Sequence, residues 1–149
     1  KVDFELKEEI ILPALLQEIG KFILSDLIVS ENKTELFKSK VASGCSIEEV
    51  ERELFGFTTS EITSKIFRYW KLSENLISMI EFVDNIEKAS DEYKKKTQIL
   101  DVIKTACQVS APLSDSNVEK AIEKANKYGL DTKIQKKAIE ILQDRLLDE

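Results

Sequence analysis

Histidine is absent from all 149 residues of this chain. Histidine is the side chain that titrates near neutral pH, and it is the commonest metal ligand in proteins. Without it the chain cannot form a Ser-His or Cys-His nucleophile pair or an ordinary zinc site. The sequence therefore excludes the hydrolases that depend on an imidazole.

Glycine, proline and cysteine are also scarce, with four, two and two residues. An all-β fold needs many tight turns, which glycine and proline supply, so their scarcity favours helices. Cys45 and Cys107 are far apart and form no C-x-x-C pair. Neither a disulfide framework nor a thiolate metal site is indicated, and we expect two reduced thiols in a cytoplasmic protein.

Long apolar runs and concentrated positive charge are missing as well. The apolar run 10–16 contains Pro13 and is too short to span a membrane, and no cleavable signal peptide is visible. A net charge of −6 disfavours binding to nucleic acid, because phosphate contacts need clustered Lys and Arg. The basic run 94–96 is interpreted as a solvated helix face. We expect neither a nucleic-acid nor a membrane partner.

The sequence does contain a series of helix start and stop signals. Four segments fit the capping box, in which a hydroxyl residue is followed three positions later by Glu or Gln; they begin at Ser46, Thr58, Ser116 and Thr132. Gly44 and Gly129 are placed to end helices. Apolar residues between these signals recur at helical spacing. The pattern predicts about six to nine helices with short connections, no significant sheet, and one helical domain over residues 1–149.

Three segments resemble a known family in order and spacing. Segment 15–24, LLQEIGKFIL, resembles L-L-H-D-I-G-K followed by an apolar helix. Within segment 53–62, ELFGFTTSEI resembles G-x-x-H-x-E-[VI], and segment 70–77, WKLSENLI, resembles W-x-L-P-x-x-[IL]-[IV]. Together, from about Glu9 to about Cys107, they resemble the second half of an HDOD domain, the HD-related output domain of bacterial signalling proteins. Residues 114–149 would be C-terminal helices, matched by position only.

The resemblance implies an all-α, HD-domain-like multi-helix bundle, and it locates the positions at which HD enzymes bind metal. The metal-binding His-Asp pair falls on Gln17 and Glu18, and the histidine of the G-x-x-H stretch falls on Thr59. Two further histidines fall near Val83 and Asp84. HD enzymes use their metal to polarise a phosphoryl oxygen and to generate a nucleophilic water. The substitutions therefore imply a vestigial site with no catalytic residue, no metal and no cofactor.

The first hypothesis is a non-catalytic HDOD-like module of bacterial signal transduction. It would act through protein–protein contact, with a signalling protein or with the N-terminal half of the same domain. A homodimer is a further possibility. The hypothesis depends on an intact apolar framework combined with substituted ligand positions.

Two alternatives remain open at the level of sequence. One is a divergent metal-dependent phosphohydrolase that binds Mg²⁺ or Ca²⁺ through carboxylates alone, with Glu18, Glu61, Asp84 and Asp101 as candidate ligands. The other is a domain that binds a nucleotide without turnover, in a pocket lined by Lys21, Lys65 and Arg68.

Three candidate residues also have structural interpretations that need no ligand. Gly20 is expected at a tight junction between helices where only glycine fits. Thr59 is expected in the first turn of a capped helix. Trp70 is expected in the core, with Tyr69 at its rim.

Overall fold

The structure, a computed structural model, describes residues 4–147, with side chains for residues 8–144. That part of the chain contains nine α-helices, one short 3₁₀ helix and no strand. The helices are α1 Phe4–Leu16, α2 Gly20–Ser30, α3 Thr34–Ala42, α4 Ile47–Phe55, α5 Thr59–Tyr69, α6 Glu74–Glu81, α7 Asp91–Ala106, α8 Asp115–Lys127 and α9 Thr132–Leu147; the 3₁₀ helix is Ile86–Lys88, between α6 and α7. The predicted all-α bundle is confirmed.

The main core lies where α5, α6 and α7 pack together, with α1 across α6 and α7. Phe67, Ile80 and Leu100 are fully buried at its centre. Each burial of this kind stabilises the fold by about 1.5–3 kcal/mol. The helical spacing of apolar residues in the sequence predicts these faces, since residues three and four apart share one side of a helix.

A second, smaller core joins α7 to α8. Three alanines, Ala106, Ala121 and Ala125, are buried there with Val102. Their small side chains permit a close approach of the two helices. The last helix, α9, packs against α8, and three of its apolar residues remain about half exposed: Ile134 at 49%, Ile141 at 45% and Leu142 at 45%.

Two of the four predicted capping boxes are confirmed. Ser46 caps α4 and Thr58 caps α5, and in each box the carboxylate of the glutamate three residues later accepts from the backbone amide of the cap residue. The predicted helix stops are also present, with φ of +100° at Gly44 and +68° at Gly129, both in the left-handed region.

The other two predicted capping boxes are wrong, because each helix begins one or two residues earlier than the box predicts. The N-cap of α8 is Ser114, whose hydroxyl accepts from the amide of Asn117, so Ser116 lies inside the first turn. At α9 the carboxylate of Asp131 accepts from the amides of the second and third helical residues, which places Thr132 inside the helix. In both cases a good cap residue stands one or two positions ahead of the predicted one, and the helix begins directly after that earlier residue.

Candidate functional site

The junction between α1 and α2 packs directly on the first turns of α5. The hydroxyl of Thr63 accepts from the Gly20 amide at 2.9 Å and lies 2.9 Å from the Thr59 carbonyl and 3.2 Å from the Gln17 carbonyl. A Cβ added to Gly20 would lie 2.4 Å from the Thr59 oxygen. The expectation that only glycine fits here is confirmed, and the junction brings two of the predicted positions, Gln17 and Thr59, to one place.

The side chains at the His-Asp positions contact residues that are close in the chain. Gln17 is buried, with 4% of its surface exposed, and its amide nitrogen donates to the Ala14 carbonyl at 3.3 Å. Within the described residues its side-chain oxygen has no hydrogen-bond partner. Glu18 forms an ion pair with Lys21 on the following turn.

The amino end of α5 receives two carboxylates from other parts of the chain. The Thr59 amide and hydroxyl donate to Glu51 at 2.7 and 2.6 Å, and the Thr58 hydroxyl donates to Asp84 at 3.0 Å. The partial positive charge of a helix N-terminus favours negative groups there. Thr59 thus lies in the first turn as expected. It is also buried, and its hydroxyl already donates to Glu51.

A lysine that the sequence did not single out completes this cluster. The Lys104 ammonium, on α7, lies 2.5 Å from one oxygen of Asp84 and 2.9 Å from Glu48. Only 11% of the Lys104 side chain and 12% of that of Asp84 are exposed. Val83, the neighbouring predicted position, is 2% exposed and belongs to the main core. We call Glu48, Glu51, Asp84 and Lys104 the acidic cluster.

Burial and pairing shift the pKa values of this cluster in different directions. Burial raises the pKa of the Glu51 carboxyl, and the Thr59 hydrogen bonds offset only part of this. Burial also acts to raise the pKa of Glu48, but the Lys104 charge and hydrogen bond outweigh it and the net pKa is lowered. For Lys104, burial acts to lower the pKa, while Asp84 and Glu48 together raise it above the ordinary value. The ammonium therefore remains charged throughout the physiological pH range.

The candidate carboxylate ligands are not gathered around a vacant position. Glu61 caps α5 and pairs with Arg52 at 2.9 Å, on the exposed side of the helix start. Asp101 pairs with Lys124 at 2.7 Å and accepts from the Tyr128 hydroxyl at 2.8 Å, between α7 and α8. The described residues contain no group of three or more Cys, Asp or Glu side chains suited to hold a metal ion. These residues do not fit the metal that the HD resemblance implies.

The three basic side chains proposed for nucleotide binding do not line one groove. Lys65 lines a groove between α2 and α5, whereas Lys21 lines a different groove bounded by α2, α3 and α4. Arg68 makes two hydrogen bonds to Glu81, at 2.9 and 2.6 Å. No observation places the three on one phosphate group.

An apolar surface lies between the first turns of α2 and the end of α5. Its central groove, of about 520 Å³, is lined by Ile19, Phe22, Ile23, Lys65, Ile66, Tyr69 and Trp70. Phe22 is 81% exposed and Tyr69 is 84% exposed. Leu15, on α1, is 73% exposed. We call the seven groove residues the apolar surface.

Trp70 belongs to this surface, and its predicted place in the core is wrong. The helix α5 ends at Tyr69, so Trp70 is the C-cap and its side chain leaves the buried face. Its ring stacks on the edge of the core at Phe67, with centroids 6.0 Å apart, and 55% of the residue stays exposed.

One family model matches more than half of this helical chain. Residues 1–86, more than half of the chain, match the family model of the HDOD domain. The chain belongs to the HDOD family. The match covers all three segments that carry the resemblance and the positions from Gln17 to Asp84.

A solved structure has the same fold as this HDOD chain. It is the crystal structure of a virulence factor from Campylobacter jejuni subsp. jejuni, with a TM-score of 0.67 and 20% sequence identity. The likeness covers 88% of this chain and 50% of the virulence factor, so the chain spans half the length of that protein. None of the curated protein sequences is significantly similar to this chain. Among residues 4–147 no helix is both long and apolar enough to cross a bilayer.

Proposed function

We propose that this HDOD chain is a non-catalytic module of bacterial signal transduction that acts by binding a helical protein partner. The observation that carries the proposal is the apolar surface. Monomeric proteins seldom expose several large aromatic and aliphatic side chains side by side, and such patches mark interaction sites. Aromatic residues such as Phe22, Tyr69 and Trp70 are enriched at the centres of protein interfaces.

The partner that we propose is the complementary half of an HDOD domain, on the same polypeptide or on another. Every residue of the apolar surface lies within residues 1–86, the segment that matches the HDOD model. A protein with the same fold is twice as long as the matched part. An apolar groove between two helices also suits an amphipathic helix, whose apolar stripe would bury the exposed side chains.

The absence of catalysis is proposed from the residues that stand at the metal-binding positions of HD enzymes. An HD-type hydrolase needs a metal to generate its nucleophile. At the corresponding positions this chain has a neutral amide, a hydroxyl already donated to Glu51 and a carboxylate already paired with Lys104. A simple phosphodiester should therefore remain intact when incubated with the purified chain and Mg²⁺ or Mn²⁺. Hydrolysis that disappears in Glu18→Ala would contradict the proposal.

Photo-crosslinking tests the binding surface. A photoreactive phenylalanine analogue placed at position 22, in cells that produce the protein, should crosslink to a helical HDOD-type segment. The same analogue at position 109 is the control, because Val109 is also 67% exposed but lies outside the apolar surface. Crosslinks to a second copy of this chain would indicate a homodimer and not the complementary half. If positions 22 and 109 give the same products, the surface is not a specific interface.

A further inference from the structure

The groove of the apolar surface carries a charge of one sign. Among the described residues that line it, Lys65 has the only charged side chain, and the other six are apolar or aromatic. The chain as a whole has a net charge of −6, with 28 acidic and 22 basic residues. An isolated positive charge in this groove is therefore not a consequence of the overall composition.

Lys65 is exposed, and its charge is not paired within the described part of the chain. Among residues 8–144, whose side chains the structure describes, no carboxylate forms an ion pair with it. The other basic residues of α2 and α5 differ in this respect, because Lys21 and Arg68 each pair with a glutamate. The Lys65 ammonium is thus available to a group outside this chain segment.

A partner that covers this groove will remove water from around the Lys65 ammonium. Lys65 and Tyr69 are one helical turn apart on α5, and both line the groove. A lysine can lay its aliphatic stem on an apolar surface as long as its charged end stays in water. A charge that loses its water without gaining a partner is strongly unfavourable. The covering segment therefore needs a negative group beside its apolar contacts.

We infer that the segment covering the apolar surface is an amphipathic helix with an aspartate or glutamate beside its apolar stripe, and that this carboxylate pairs with Lys65. The inference rests on the proposed function, because it names the chemistry of the partner proposed there. The apolar stripe buries the exposed rings of Phe22, Tyr69 and Trp70. The charge pair at its edge fixes the register of the helix and disfavours helices with a basic residue at that position.

Zero-length crosslinking tests the pairing directly. A water-soluble carbodiimide joins an amine to a carboxyl group that touches it, with no spacer between them. In cells that produce the protein, it should link Lys65 to an aspartate or glutamate of the same helical segment that the photoreactive residue at position 22 captures. Lys120 is the matched control, because it is also exposed but lies on α8, outside the apolar surface; it should not be linked to that segment.

Charge reversal gives a second, independent readout. Lys65→Glu should lower the yield of the crosslink from position 22 by about tenfold, and Lys65→Gln should lower it less. Lys120→Glu makes the same change of charge and should leave the yield unchanged. Because Lys65 is exposed, its variants should keep the Tm of the wild type, which thermal unfolding checks. Replacing the linked carboxylate of the partner by lysine should restore the yield in Lys65→Glu.

The failure of this inference and the failure of the proposed function have different signatures. If position 22 captures no specific helical segment, the proposed function fails and the inference fails with it. If position 22 captures such a segment but the carbodiimide links Lys65 to none of its carboxylates, the inference is overturned and the proposed function stands. Equal yields for Lys65→Glu and Lys120→Glu overturn the inference in the same way.

Discussion

The Glu51 carboxylate accepts hydrogen bonds from both the backbone amide and the hydroxyl of Thr59, at 2.7 and 2.6 Å. Glu51 is on α4 and Thr59 is the first residue of α5, so the contact fixes the angle between consecutive helices across the turn at Gly56. Both residues are buried. The pair therefore has two opposing effects on stability. The hydrogen bonds to Thr59 stabilise the start of α5, whereas the burial of Glu51 disfavours its charged form and raises its pKa.

The first prediction is a pH-dependent difference between the wild type and Glu51→Gln. Burial raises the folded-state pKa of Glu51 above its ordinary value of 4.5, so the folded state takes up the proton first as the pH falls. This group's contribution to the free energy of unfolding should increase as the pH falls through the folded-state pKa and level off below 4.5. Urea unfolding at several pH values between 4 and 8 measures it.

The amide of Glu51→Gln keeps an acceptor for the Thr59 amide but does not titrate, so the variant should lack this pH-dependent increase. Glu35→Gln is the control for the loss of one negative charge, because the Glu35 side chain is 89% exposed. A wild-type-minus-variant difference that is constant with pH, or that grows as the pH rises, would count against the raised pKa.

The second prediction concerns Gly20→Ala. In an ordinary helix interior this change stabilises by about 1 kcal/mol. Here the new Cβ would meet the Thr59 oxygen at 2.4 Å and the Thr63 hydroxyl at 2.7 Å. Overpacking of this kind costs about 1–3 kcal/mol, so chemical denaturation should show a loss of stability. Ser25→Ala, at an exposed position of the same helix, should change stability by less than about 0.5 kcal/mol. A stabilised Gly20→Ala would show that the α1–α2 junction is looser than described.

The third prediction distinguishes two serines at the start of α8. Ser114 is the N-cap and accepts from the Asn117 amide, whereas Ser116 lies inside the first turn. Ser114→Ala should cost about 1 kcal/mol in the free energy of unfolding. Ser116→Ala should be nearly neutral, since alanine is at least as good a helix former as serine. Equal losses, or a larger loss for Ser116→Ala, would restore the capping box that the sequence predicts.

The sequence by itself determined the helices and the family. Capping boxes at Ser46 and Thr58, helix stops at Gly44 and Gly129, and apolar residues at helical spacing are local signals, because they arise between residues at most a few positions apart. The three HD-like segments are local in the same sense. For this reason the all-α fold and membership of the HDOD family could be predicted, and the close fit at Gly20 could be anticipated.

Only the tertiary structure decided which groups meet around Asp84. Lys104 is separated from Asp84 by 20 positions, and Thr58 from Asp84 by 26, so no local pattern relates them. Which buried carboxylate meets which cation depends on how α4, α5 and α7 pack, and on the cost of leaving either charge alone in the interior. The exposure of Trp70 was also decided by the tertiary structure. The helix α5 ends at Tyr69, one residue before Trp70, so the Trp70 ring lies on the apolar surface and not in the core.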